Sequence, residues 1–188
     1  NSGKLTALKN FTADHVIRSG GFMVISGKND EINSFEKNVT ITQVLAKGGG
    51  AVRLLRPGDE ASESDVIGWG TEAKWREKQS MRAGINQLWR CFVGDSIVDS
   101  DDNLADISNE DVDGNGTLVQ PGIKANCPVP NDQPEPDTPS PDDTQPPVII
   151  NKCEGLRLSE IAANSDEQFV ELVNNSHTTL DISGCKLM

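Results

Sequence analysis

Short runs of alternating or continuous apolar residues recur along the chain, separated by turns rich in glycine, asparagine and proline. In the first two thirds they are Gly21–Ser26 (GFMVIS), Val39–Leu45 (VTITQVL), Ala51–Leu55 (AVRLL) and Ser64–Gly70 (SDVIGWG). A period of two puts successive side chains on opposite faces, so each run predicts a strand. Between them stand GKND, AKGGG and RPGDE, all turn formers. Strands this short, at this spacing, predict an antiparallel sandwich or barrel. Only Glu72–Arg82 admits a helical turn or two, and its Trp75 and Met81 are too sparse for an apolar face. Near the end, Leu156–Ile161 (LRLSEI) and Gln168–Val173 (QFVELV) alternate cleanly, NNSHT turns, and TLDISGCKLM predicts another strand pair. So few strands cannot bury both faces of a sandwich alone, so this segment needs a partner surface.

Proline divides the chain. Residues 128–147 read PVPNDQPEPDTPSPDDTQPP. Prolines give no ladder donors and the acids repel one another, which predicts an extended tether of ~3 Å per residue, reaching ~60 Å. The chain is thereby read as a large piece (1–127), a linker (128–147) and a short piece (148–188).

Composition refines this picture. The formal net charge is −12, with 29 acids against 17 Lys and Arg. Asp95, Asp99, Asp101, Asp102, Asp106, Glu110, Asp111 and Asp113 form a block free of Lys and Arg, and five more acids lie in the linker. The remainder is close to neutral. No basic stripe is present, which argues against nucleic acid as a partner. No apolar run approaches the roughly 20 residues of a membrane-spanning helix, so membrane insertion is not expected. Within the acidic block, Asp99-x-Asp101-x-Asn103 and Asn109-x-Asp111-x-Asp113-Gly114 alternate side-chain oxygens as calcium loops do. These six residues are the candidate Ca2+ ligands, although Gln120 stands where a calcium loop has its bidentate Glu. The alternative is a solvated acidic loop.

Cys91, Cys127, Cys153 and Cys185 are four widely spaced cysteines without a CxxC, and His15 and His177 stand alone. That disfavours zinc and favours disulfides, hence an oxidising compartment, with three connectivities open. Support for catalysis is thin. Glu160 and Glu171 fall on neighbouring predicted strands and could be read as acid and base, but neither histidine has a nucleophilic partner in triad order. No enzymatic activity is expected.

The short piece resembles the beginning of a lamin-tail domain, an immunoglobulin-like β-sandwich. The resemblance is carried by Ser159-Glu160-Ile161, by Phe169-Val170-Glu171-Leu172 with Asn174, and by Leu180-Asp181-Ile182-Ser183-Gly184, with Cys185 where the family usually has Trp. The large piece resembles the remainder of that fold: Ser19-Gly20-Gly21 before Phe22–Ile25, Gly48-Gly49-Gly50 before Ala51–Leu55, Asp65–Gly70, and Pro121-Gly122 with Asn126. Leu88-Trp89-Arg90-Cys91 and the acidic stretch after it are similar to secreted bacterial members.

The resemblance therefore implies an all-β, immunoglobulin-like sandwich split in reversed order, its first half at the C-terminal end and its second half at the N-terminal end. Three arrangements satisfy it: a chain closing on itself, a tandem array cut in mid-domain, or C-terminal strands completing a neighbouring unit. Head-to-tail propagation, with copies of the chain as partners, is the expectation adopted. Leu156, Leu158, Ile161, Phe169, Val170 and Leu172 would then make the inter-unit contacts. The split also pairs Cys153 with Cys185 and Cys91 with Cys127. The functional expectation is an extracellular or cell-surface structural module, a unit of a fibre or modular surface protein. A calcium-stabilised adhesion module and an accessory domain of a secreted hydrolase are the alternatives.

Overall fold

A computed structural model describes residues 7–27, 39–41, 45–46, 48–58, 62–71, 73–81, 87–108, 122, 124, 153–163 and 168–188. These residues are almost entirely β. The strands are β1 (Lys9–Asn10), β2 (Val16–Ile17), β3 (Phe22–Gly27), β4 (Val39–Ile41), β5 (Gly50–Leu55), β6 (Glu63–Trp69) and β7 (Gln87–Arg90). They continue as β8 (Phe92–Val93), β9 (Ser96–Ile97), β10 (Ile107–Ser108), β11 (Leu156–Ala162), β12 (Phe169–Asn174), β13 (Leu180–Asp181) and β14 (Lys186–Leu187). One short helix, α1 (Asn103–Asp106), lies inside the acidic block.

A six-stranded sheet runs β10-β7-β11-β12-β3-β4, and a four-stranded sheet runs β1-β14-β5-β6. The period-two pattern decides what lies between them. Met23, Ile25, Leu158, Ile161, Val170 and Leu172 of the larger sheet share one buried cluster with Val52, Leu54, Ile67, Trp69 and Leu187 of the smaller. Each such Leu or Ile is worth roughly 1.5–3 kcal/mol when fully buried. Two sheets around one apolar layer are compatible with a β-sandwich.

The C-terminal segment is not peripheral. β11 and β12 are central strands, held between β7 and β3. β14 sits between β1 and β5. Cys153 and Cys185 form a disulfide with Cα atoms 6.2 Å apart. Both are fully buried in the shared core. The bond joins the start of β11, in one sheet, to the start of β14, in the other. In the chain-entropy account a loop of this size contributes about 3–4 kcal/mol. Cys91 is also disulfide-bonded, while Cys127 lies outside the described residues.

Three expectations need correction. The larger sheet is mixed, because β3 and β4 run parallel, Ile25 facing Val39. The stretch 72–82 makes no helix where described: residues 73–81 form an irregular strap that folds back on β6. TLDISGCKLM does supply two strands, but they join different partners, β13 with β2 and β14 with β5. Glycine fixes the turn ends of β5 and β6. Gly70 has φ +83°, and a Cβ there would lie 2.6 Å from the Gly49 Cα. Only a residue without a side chain can take both that conformation and that approach.

Candidate functional site

The strands bring together a buried charged cluster. Arg90, at the end of β7, is one of the largest fully buried side chains of the protein. Its Nη2 lies 2.7 Å from Asp65 Oδ1 on β6 and 3.1 Å from Glu77 Oε2 on the strap. Its Nη1 lies 2.7 Å from Asp99 Oδ1, after β9. Asp99 Oδ2 is also 2.5 Å from Arg157 Nε on β11. Asp65 Oδ2 accepts a 2.7 Å hydrogen bond from the Leu158 amide, beside the irregularity in β11. The guanidinium thus ties β6 of one sheet to β7 of the other, its two terminal nitrogens spread over three carboxylates where a lysine would present a single point charge.

Three carboxylates against two guanidiniums leave one excess negative charge. Burial lifts Asp65 above the ordinary carboxylate range, with Arg90 opposing. Burial, with the like charge of Asp65 added, pushes Glu77 up to about 8, again against Arg90. Asp65 and Glu77 also share a hydrogen bond, so one proton held between them neutralises the set. Asp99 behaves oppositely: burial works against its charge, but Arg90 and Arg157 outweigh it and its pKa is lowered.

Oxygens of Asp65, Glu77 and Asp99 lie within 4.8 Å of one another, close enough to hold a metal ion. The Arg90 guanidinium already faces all three, at 2.7, 3.1 and 2.7 Å. The cluster carries its own cation, and a dication beside the guanidinium would meet strong repulsion.

A second acidic pair lies on the same two central strands. Glu160 of β11 and Glu171 of β12 are directly opposite, and they are only 2% and 1% exposed. The register shift between Leu158 and Glu160 lets Ser159 reach the same carboxyl, its Oγ donating to Glu171 Oε1 at 2.7 Å. The Gly122 amide donates to Glu171 Oε2, and Gln87 Nε2 donates to Glu160 Oε1. No cation offsets them among the described residues. Burial, and then Glu171, push Glu160 up to about 9. Burial pushes Glu171 up to about 7, with Ser159 and Gly122 opposing. At neutral pH the pair holds at least one proton.

The residues singled out in the sequence disperse. Asp99 turns to the arginines, Asp101 is exposed with φ +56°, and Asn103 is fully buried against β6. Asp102 caps α1, its Oδ1 accepting from the Leu104 amide at 3.2 Å. Asn109, Asp111 and Asp113 lie outside the described residues. Leu156, Leu158, Ile161, Val170 and Leu172 are buried in the shared core of this same chain, and Phe169 packs with Val24 and Ala162 instead. Sequence reasoning passed over Asp65, Glu77 and Arg90. Their signal was a charge inside an apolar run, DVIGW or LWRCF, which calls for a buried partner.

No family model matches this chain, and neither a curated protein nor a solved structure resembles it significantly.

Proposed function

We propose that the chain is a non-catalytic extracellular structural module, a lamin-tail-like sandwich whose C-terminal segment completes the sandwich of a neighbouring copy. One observation carries this reading. Residues 153–188 supply the two central strands of the larger sheet and an inner strand of the smaller, yet their disulfide is internal to the segment. The segment is held in place by strand pairing and apolar burial, so inserting it into a second copy would recreate every contact. Effective concentration across the linker then decides between closure and exchange. A disulfide also fits an oxidising, extracellular setting. Among the described residues no helix is long and apolar enough to cross a membrane. The buried glutamates are engaged in internal hydrogen bonds, which supports a structural rather than a catalytic role.

The test is refolding of the full chain, disulfides intact, over a range of concentrations, followed by size-exclusion chromatography with light scattering. Exchange predicts single chains from dilute refolding and a ladder of multiples from concentrated refolding. Two fluorescently labelled batches should mix within those multiples only after joint unfolding. Single chains at every concentration would refute the exchange.

A further inference from the structure

β6 is a seven-residue strand at the edge of the smaller sheet, paired with β5 along its length and, on its other side, bridged to the strap at Trp69 and Met81. Alternate residues Val66, Gly68 and Gly70 turn their peptide groups outward, and a bare edge of this kind invites a foreign strand. Here every one of those groups is taken. The Val66 amide donates to Glu77 Oε1 at 3.4 Å, and its carbonyl accepts from Asn103 Nδ2 at 2.9 Å. The Gly68 amide donates to Asn103 Oδ1 at 2.9 Å, and its carbonyl accepts from the Met81 amide at 2.9 Å. The Gly70 amide donates to the Met81 carbonyl at 2.8 Å, and its carbonyl accepts from Ser80 Oγ at 2.9 Å.

Over Val66 and Gly68 the side-chain carboxamide of Asn103 does what a neighbouring strand's peptide would do, donating to one carbonyl and accepting from one amide. It is fully buried. Asn103 Nδ2 also donates to Glu77 Oε2 at 2.7 Å, and Glu77 is itself held by Arg90. The strap comes so close that a Cβ on Gly68 would lie 2.4 Å from the Trp75 carbonyl oxygen.

We propose that Asn103 and Glu77, positioned by Arg90, form an edge cap together with Met81 and Ser80 of the strap, and that the surface beneath it is an addition site for β6 of a second copy. The choice of occupant follows from the strand. Val66-Ile67-Gly68-Trp69-Gly70 carries no charge, is rich in β-branched and aromatic residues, and lacks proline, the composition that pairs with itself. Two identical edges meeting antiparallel about a two-fold axis present each other with matching amides and carbonyls. The cap closes that route. This inference stands apart from strand exchange, because edge addition requires no unfolding.

The test is Asn103→Ala in the full chain, by light scattering across a concentration series without refolding, together with amide hydrogen exchange. The expected result is a concentration-dependent dimer. The Gly68 amide, whose acceptor is the lost carboxamide oxygen, should exchange about tenfold faster than in the parent chain when dilute, as befits a lost hydrogen bond, and regain protection in the dimer. Should that variant fail to fold, Asn103→Ser, too short to span both groups and setting no charge beside Glu77, is the second variant, and the same dimer is expected. A folded variant that stays monomeric throughout, with Gly68 exchange unchanged, would overturn the proposal. So would a dimer in which the Gly68 amide stays as exposed as in the dilute monomer.

Discussion

Two acidic groups share strand β11, and they solve one problem in opposite ways. Around Arg90, three carboxylates are gathered by a guanidinium, with Arg157 joining at the margin. At Glu160 and Glu171 the described residues supply no cation, and the charge is suppressed by protons. Removing charges from water is costly, and attraction repays that cost only where geometry and hydrogen bonds are good. The first group links elements from both sheets and ties β6, β7, β11 and the strap together. The second lies within one sheet and ties β7, β11, β12 and Gly122 together by hydrogen bonds. Cation compensation is independent of pH over the physiological range, whereas proton compensation, at Glu160 and Glu171 and also between Asp65 and Glu77, is not.

Deleting the cation tests the first half most directly. Arg90→Leu leaves three carboxylates facing a half-buried Arg157, and chemical denaturation should show a loss of about 3–5 kcal/mol. The strap should loosen as well, seen as faster exchange of the Val66 amide.

Next in size is the pH response. Glu160, Glu171 and Glu77 all have folded-state pKa values raised above those of the unfolded chain, to about 9, about 7 and about 8. Below pH 4.5 both states hold these protons and no difference arises. As pH rises from there toward about 9, the unfolded chain has released protons that the folded chain retains, so stability falls. A loss of order 3 kcal/mol between pH 5 and pH 9 is expected in urea titrations. An increase with pH over that range would contradict the assignment.

Glu160→Gln sharpens the contrast, because it keeps size and hydrogen bonding while removing the ionisable group. It should raise stability at pH 8 by about 2 kcal/mol and flatten the pH profile. Arg157→Met is the mildest change. Its side chain is a quarter exposed, and the loss should be about 1 kcal/mol or less, with Asp99 still held by Arg90.

Alternation made most of the long strands legible. β3, β5, β6, β11 and β12 fall within a residue or two of the runs that predicted them, since a half-buried strand writes its pattern locally. The Cys153–Cys185 pairing, too, was anticipated. β7 escaped because LWRC alternates over too few residues, and the parallel pairing of β4 because direction leaves no local trace. The Arg90 cluster was half visible. Asp65 and Arg90 stand inside apolar runs, which signals partners, but Glu77 and Asp99 are remote in sequence and look like ordinary surface acids. Asn103 looked like a calcium ligand, and only the path of the chain reveals that its carboxamide meets a strand edge.

Gly68 has a consequence for which changes this sequence can tolerate. Any side chain there meets the Trp75 carbonyl and must push the strap outward, away from a strand that still keeps its ladder with β5. Such a variant would lose solubility before it lost its fold. In a survey of random substitutions it would be recovered among aggregates rather than among unfolded or degraded chains. A glycine that looks like a weak point in a strand is thus where this protein's sequence guards against its own copies.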